Sequence, residues 1–486
     1  MKKLILLVCT LSILLSFAGC SGLRKGPPVD EQKLYEDLFN VNNKISIKLD
    51  MSDLELAKLQ ADYDKYAGKN EGSAAYRMAD LTVTITTPDG KETAYKVEQV
   101  GVRMKGKSYS RSDFFSYEDG IYNHVHLKIS FKETFDDPLI YGDQALSWTD
   151  AERQARKNRT FATLEKLNLK WNRSDDPTYI RSYYCGMVHR EYGILSPRGT
   201  LATFNWSGLH MGVYTIFEPV DKIFLNRYLP ESAQGGDLYK CVYMTKFNGE
   251  NSIGVEDAVK RRFYDFDLKT NKKTSNHSSL KRLLDMLNNG TPTKEEFAAL
   301  VDMDYWLTFN AVAYFIGNGD DMRNDYNNIY VYFRPDTGKA IFIPHDFDRG
   351  LGVSGNFMDV HETMTKDSPF TKVMGWFGWT QENPLYLYSI CEGGYFIEEY
   401  TEKLWEVSKS PFFTNEKFNE YYYIAEKLYD NDTTPGTNLK NASDKYLSFS
   451  LHRTAPVNSE KNTSFSDYIE TKFSNFYKYM GAEPQG

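Results

Sequence analysis

Two short stretches of this sequence concentrate side chains able to hold a metal ion or move a proton. The first is Asn318-Gly319-Asp320-Asp321-Met322-Arg323-Asn324-Asp325-Tyr326-Asn327-Asn328, just before the alternating run Ile329-Tyr330-Val331-Tyr332. The second is Pro344-His345-Asp346-Phe347-Asp348-Arg349-Gly350, which ends the run from Lys339 to Pro344. Pro335-Asp336-Thr337-Gly338 lies between the runs and has turn composition, so they read as one β-hairpin. Paired strands of similar length put both clusters at the same edge. Asp320, an amide of Asn327 or Asn328, and Asp346 then face one pocket. Such oxygen donors suit magnesium better than zinc. An acid that orients a nucleophile, with an amide and a carboxylate on the metal, is the equipment of phosphoryl transfer. A metal-dependent hydrolase needs much the same set. Asn and Asp also make plain turns, but two clusters joined by one hairpin, each after an apolar element, weigh toward a site.

Other candidates carry less. Met104-Lys105-Gly106-Lys107-Ser108 follows a strand and offers a glycine turn, backbone N–H groups and two cations, reasonable for a loop over phosphates although it lacks a full GxGxxG. His124 and His126 share a strand face with no further ligand nearby, which favours a surface pair. Ser108 and Ser110 have no neighbouring His to activate them. Beyond Cys20, Cys185, Cys241 and Cys391 are widely spaced and form no CxxC, against a disulfide framework or a structural zinc site. A net charge of -8 without a basic run argues against nucleic acid. The 35 tyrosines are in keeping with an extracytoplasmic surface.

The elements that must position these residues start after an export segment. Lys2 and Lys3 precede the apolar stretch from Leu4 to Phe17, and Ala18-Gly19-Cys20 follows. That is a secretion signal ending like a lipobox, which implies cleavage before Cys20, acylation of its thiol, and a lipid anchor as the membrane contact. The apolar stretch is too short to span a bilayer core of about 30 Å. Residues 21–31 read as a tether, and 32–75 as a helical flank. In 76–219 the sequence predicts strands at 81–86, 95–104, 124–131, 200–206 and 212–217, with helices at 160–169 and 177–192. This makes an antiparallel sheet with helices on one side. In 220–486 helices dominate: 221–228, 279–288, 294–301 and 304–316, then 385–428 and 465–480 after the hairpin, which falls within 304–352. Residues 246–278 are polar and read as a surface insertion.

The segments Gly101-Val-Arg-Met-Lys-Gly-Lys-Ser108, Leu164-Glu-Lys-Leu-Asn-Leu169, Asp176-Pro-Thr-Tyr-Ile-Arg181, Gly212-Val-Tyr-Thr-Ile-Phe-Glu-Pro-Val-Asp221, Gly236-Asp-Leu-Tyr-Lys240, Asn318-Gly-Asp320, Asn328-Ile-Tyr-Val-Tyr332 and Pro344-His-Asp346-Phe-Asp348, in this order, resemble the CotH kinase family over roughly residues 75 to 355. The resemblance implies an α+β, two-lobed atypical protein-kinase-like fold, with an antiparallel sheet as N-lobe, a mostly helical C-lobe and helical flanks. It implies transfer of phosphate from ATP, with Mg2+ or Mn2+, to Ser or Thr of Ser-rich secreted or coat proteins. Asp320 is then the catalytic base, Asp346 the metal carboxylate with Asp348 a helper, and Asn328, or its neighbour Asn327, the metal amide. Asp320 and Asn328 stand eight residues apart, against five in better-known protein kinases, where Asp325 falls here. Lys105 and Lys128 are the expected nucleotide cations, with Arg103 competing, and Glu218 is the expected hinge residue. A helix glutamate to pair with the lysine stays open between Glu191 and Glu165. His345 occupies a position where the family usually has Trp. A surface binding protein that keeps the fold without the reaction, and a metal-dependent hydrolase, are the rival readings.

Overall fold

The computed structural model describes residues 30–481 apart from 70, 107–113, 117–119, 173–175, 244, 258–263, 354–366, 371–382, 437, 440–447 and 455–461. The signal-like start with Cys20, nearly all of the tether, and Lys107 and Ser108 of the basic loop lie outside the described residues.

Asp30 caps helix α1 (Glu31–Leu38), its carboxylate accepting from the amides of Gln32 and Lys33. Strand β1 (Lys44–Asp50) alternates, burying Ile45, Ile47 and Leu49, and is followed by α2 (Asp53–Tyr66), capped by Ser52. Strands β2 (Arg77–Thr86), β3 (Glu92–Met104), β4 (Leu127–Ser130) and β5 (Lys166–Trp171) come next, then α3 (Arg181–Glu191) and the hairpin β6 (Gly199–Trp206) and β7 (Leu209–Phe217). The seven strands close into a barrel in the order β1-β2-β3-β4-β5-β7-β6, antiparallel except where β1 meets β6. Its interior is filled by Val83, Val102, Ile129, Leu167, Leu169, Phe204 and Ile216, each essentially inaccessible to water. Burying one such side chain is worth about 1.5–3 kcal/mol. Closure also leaves no sheet edge to aggregate.

Two expectations fail here. Residues 32–75 are not wholly helical, because Ile45, Ile47 and Leu49 repeat with the strand period of two. Residues 160–169 hold no helix: Leu167 and Leu169 point into the barrel while Lys166, Asn168 and Lys170 lie on the opposite face of β5.

The second body begins with α4 (Lys222–Tyr228), capped by the Asp221 carboxylate. Its sheet runs β9-β10-β8-β11-β12, from β8 (Leu238–Cys241), β9 (Ile253–Gly254), β10 (Phe266–Leu268), β11 (Ile329–Phe333) and β12 (Ala340–Pro344). The 246–278 stretch is therefore no surface insertion, since it supplies β9 and β10 and buries Phe247, Phe266 and Leu268. Helices α5 (Ser278–Asn288), α6 (Met303–Ile316), α7 (Met322–Asp325), α8 (Ile397–Ser408), α9 (Asn415–Tyr429) and α10 (Phe465–Met480) belong to it, with shorter helices at Lys294–Leu300 and Pro384–Ser389. Helix α6 is apolar all round because sheet and helices enclose it, with Trp306 against Phe342 at 4.6 Å between rings. Helix α3, although inserted between barrel strands, packs into this second core, its Tyr184 lying 5.1 Å from the Phe418 ring. It ties the two bodies together. The fold is α+β, a strand-built first body on a mostly helical second one.

Candidate active site

The hairpin β11–β12 pairs Ile329 with Pro344, and the His345 amide extends the pairing by donating to the Asn328 carbonyl at 3.0 Å. Both strand ends then turn sharply. Asn328 (φ +54°) and Asp346 (φ +67°) sit in the left-handed region, which Asn and Asp tolerate better than other non-glycine residues. The two clusters thus share one edge. Asn318 spans them: its side-chain oxygen accepts from the Asp320 amide at 3.0 Å, and its amide nitrogen donates to the Asp346 carbonyl at 3.3 Å.

Asp320 is gripped by amides. Asn327 Nδ2 donates to its Oδ1 at 2.8 Å, and Asn328 Nδ2 to its Oδ2 at 3.1 Å and its carbonyl at 2.7 Å. Both asparagines therefore hold Asp320 by nitrogen and keep an amide oxygen for another ligand. Burial pushes the Asp320 carboxyl up to about 6; Asn327 and Arg349 oppose the rise, while Asp348 and Asp346 add to it.

Asp346 is held by a lysine instead. Lys170 of β5 places its ammonium on Asp346 Oδ1 and 3.4 Å from Asp348 Oδ2, with only 8% of its side chain exposed. Burial would raise the Asp346 carboxyl, but Lys170, then Lys105 and His345, overcome it and hold it well below the usual range. Burial would equally lower Lys170, yet Asp346 and Asp348 keep it raised. Both partners stay charged.

Lys170 was missed because 160–169 read as a helix. The strand period of Leu167, Leu169 and Trp171, with lysine at 166 and 170 between, is the signal that finds it. Lys128 lies on the neighbouring strand opposite Asn168, and its charge acts on Asp221. Arg103 stacks over the Tyr76 ring at 4.7 Å. Lys105 does bear on Asp346 and His345.

Glu218 is not a cleft residue. Its carboxylate, 1% exposed, accepts from Tyr35 (2.9 Å), Tyr228 (2.8 Å), Arg227 (2.7 Å) and the Arg198 amide (2.9 Å), which leaves no face for a nucleotide. Of the two glutamates weighed for the lysine pair, Glu165 pairs with Lys132 and Glu191 is exposed, while the carboxylates beside Lys170 are Asp346 and Asp348. His124 is no surface residue, for its Nε2 meets the Met211 carbonyl at 2.9 Å and its ring stacks on Trp171.

Asp346 and Asp348 converge on one cation position, which the Lys170 ammonium takes. Two carboxylates and nearby amide oxygens fit a magnesium-type ion, which binds through one or two carboxylates and completes its shell with water and phosphate. Among the described residues no three His, Cys, Asp or Glu side chains converge as a metal-binding group. The loop behind is anchored: Phe347 stacks on His189 of α3 at 5.0 Å, and a Cβ at Gly350 would lie 2.8 Å from Cys185 Sγ. Lys170, Trp171, Arg181, Ser182, Thr215 and Asp348 line a small cleft beside it.

A family model described as CotH kinase protein matches residues 144–473, or 330 of 486. This chain belongs to the CotH kinase family. The match holds Lys170, Asp320, Asn328, Asp346 and Asp348, and it runs past residue 355 into α10, so the C-terminal helices are part of what CotH kinase proteins share. It begins after β4, leaving Arg103, Lys105 and Lys128 outside. Among solved structures, the Helicobacter pylori proinflammatory kinase CtkA aligns at 10% identity over 54% of this chain and 86% of its own, with a TM-score of 0.23, too loose a likeness to argue from. No curated protein matches. Membership makes the site that of a kinase-like protein and implies ATP and a divalent metal in general terms.

Proposed function

We propose that this protein is an exported, lipid-anchored kinase that transfers the γ-phosphoryl group of ATP, as its magnesium or manganese complex, to Ser or Thr hydroxyls of secreted or surface proteins. The observation that carries the reading is the pair of opposed carboxylates at one hairpin edge. Asp320 is half-buried with its carboxyl pushed up to about 6, and Asp346 is ionised beside Asp348 and a buried lysine. A base works best when its proton affinity lies near the operating pH. Asp320 accepts the hydroxyl proton as the acceptor oxygen bonds to the γ-phosphorus and the bond to the leaving ADP oxygen breaks. Asp346 and Asp348 would hold the divalent ion once the Lys170 ammonium shifts aside, with an Asn328 or Asn327 oxygen as the amide donor. When bound, that ion neutralises charge on the phosphate oxygens. Lys170 supplies the protein's own positive charge at the same place. The export half of the reading is supported by Lys2, Lys3, the apolar stretch and the Ala18-Gly19-Cys20 ending.

Incubating the protein with γ-labelled ATP, magnesium and a Ser-rich acceptor tests the reaction. Label appears on the acceptor and is lost in Asp320→Ala and Asp346→Ala. The second reading, a surface binder that keeps the fold, is favoured by the way the Lys170 ammonium already sits at both proposed metal carboxylates. Nucleotide binding without transfer supports that reading. Phosphate release without acceptor labelling supports a hydrolase. Anchoring is checked by fatty-acid labelling in cells, which Cys20→Ala abolishes.

A further inference from the structure

Both acidic loops hang from the same helix end. Helix α6 stops at Gly317, a left-handed residue (φ +55°) whose amide donates to the Ala313 carbonyl at 3.0 Å, and Asn318 is the next residue out. The loop with the metal carboxylates is tied to this end twice. The Leu351 amide donates to the Ile316 carbonyl at 2.8 Å where the loop closes, and Asn318 Nδ2 donates to the Asp346 carbonyl at 3.3 Å where it opens. The loop with the base is tied to it as well. The Asn318 side-chain oxygen accepts from the Asp320 amide at 3.0 Å, and its main-chain carbonyl accepts from Asn324 Nδ2 at 2.9 Å and from the Asp321 amide at 3.3 Å.

Asn318 is 1% exposed, so bulk water cannot stand in for either side-chain bond. Its neighbours fix which end of the carboxamide is which, an N–H on one side and a C=O on the other. Leucine, of the same size, offers neither bond, and an ionised aspartate cannot donate to a carbonyl. One of the two residues so tied is the base. The other, Asp346, has a left-handed backbone (φ +67°), which persists only where its surroundings hold it.

We propose that Asn318 is the positioning residue of this site: its one carboxamide spaces the base loop against the metal loop, so that Asp320 and Asp346 keep a single separation. That role rests on the phosphoryl-transfer reading above and deepens it, and it is exercised through those two residues. Partners that orient metal-binding or reacting groups typically matter by 10–100-fold in affinity or rate, roughly the effect of an ångström of misplacement.

The test measures transfer of labelled phosphate, and calorimetric binding of magnesium–ATP, for wild type, Asn318→Leu and the smaller Asn318→Ser, with melting curves to confirm folding. Asn318→Leu is also combined with Asp320→Asn and with Asp346→Asn. Alone, it should lower kcat by about a hundredfold and magnesium–ATP affinity by about tenfold. In the Asp320→Asn background it should lower kcat by no more than about threefold further, while the affinity still falls; in the Asp346→Asn background the affinity should fall no further. Equal fold losses in every background mark a residue that only supports the fold and overturn the proposal. So does a pair of Asn318 variants that match wild type, or that both fail to fold. A wild type that binds magnesium–ATP and labels no acceptor overturns the transfer reading, and an affinity loss that requires Asp346 then upholds Asn318. A wild type that neither binds nor transfers overturns both.

Discussion

The two ends of one hairpin carry the same functional group in opposite states. Before β11, Asp320 is enclosed by neutral partners, the amides of Asn327 and Asn328, and burial raises its proton affinity to about 6. After β12, Asp346 is enclosed by charge, Lys170 above all, and stays ionised far into acid. The local folding devices are alike, since a left-handed Asn328 and a left-handed Asp346 turn the chain out of register at each strand end. What differs is which body supplies the neighbours. The Asp320 partners are local in sequence, whereas the Asp346 partner comes from a barrel strand 176 residues earlier. Carboxylates driven apart in this way divide the labour of a site: the one able to exchange a proton near neutrality serves as base, and the permanently charged one holds a cation.

The sharpest way to break this comparison is to neutralise each carboxylate in turn. In Asp346→Asn the cation position loses its main charge, and transfer should fall by roughly a thousandfold or more with loss of magnesium-dependent ATP binding. In Asp320→Asn one side-chain oxygen becomes an NH2 that cannot accept, so one of the Asn327 and Asn328 side-chain contacts is lost while the Asn328 bond to the backbone carbonyl remains; transfer should fall by about 10²–10⁴ with the KM for ATP little changed, as for a base removed from the transition state alone. Steady-state kinetics with labelled ATP read both. If the two variants lose nucleotide binding equally, the division of roles fails.

A smaller effect distinguishes the lysines. Lys170→Met removes the ammonium beside Asp346 and should cost about a hundredfold in kcat/KM, the scale of losing one preorganised charged donor. Lys128→Met, one strand away with its charge near Asp221, should change kcat/KM by less than about threefold. Equal losses would return Lys128 to the site.

That contrast also shows how far the sequence could be read. The hairpin, its turn and both acidic clusters were legible because strand alternation and turn chemistry are local signals, and they sufficed to place Asp320 and Asp346 at one edge. Lys170 was not, because Leu164, Leu167 and Leu169 fit a short helix as readily as a strand. The choice is made by pairing with β4 and with Thr215 of β7, which no local window contains. Glu218 failed for a related reason. Its place between a strand and the second body is local, yet Tyr35, which turns it into a closed buried node, lies 183 residues away in sequence. Period-two alternation in Ile45, Ile47 and Leu49 lies between two helical stretches, so a window longer than the strand averages it into their period.

Behind Asp320 the comparison extends to stability. Lys472 of α10, fully buried, lies 2.5 Å from Asp367, whose other oxygen faces Arg323 of α7 at 3.4 Å. The C-terminal helix therefore backs the segment that carries the base. Lys472→Met leaves Asp367 with a weakened partner and should destabilise the protein by about 3–5 kcal/mol, the usual scale for breaking a buried pair. Denaturant unfolding measures it, and a change under 1 kcal/mol would mean the pair is incidental.

The finest test lies one residue from the base. Asp321 caps α7, its Oδ1 accepting from the Asn324 amide at 2.9 Å and the Asn324 side chain at 3.1 Å, and burial raises its carboxyl to about 7. The ordinary value is 3.8, so the folded state binds this proton more tightly than the unfolded chain does. The stability it contributes is full below about pH 4 and is lost as pH rises through 7. Asp321→Asn keeps an accepting oxygen and removes the charge, so it should match wild type at pH 4 and exceed it by ~2–4 kcal/mol at pH 8. Thermal melts across that range check the sign. Because the variant should be at least as stable as wild type, its transfer activity is interpretable. Retained transfer keeps the base at Asp320, while its loss would move the base to Asp321, which is buried among hydrogen bonds of its own and farther from the lysine-held pair.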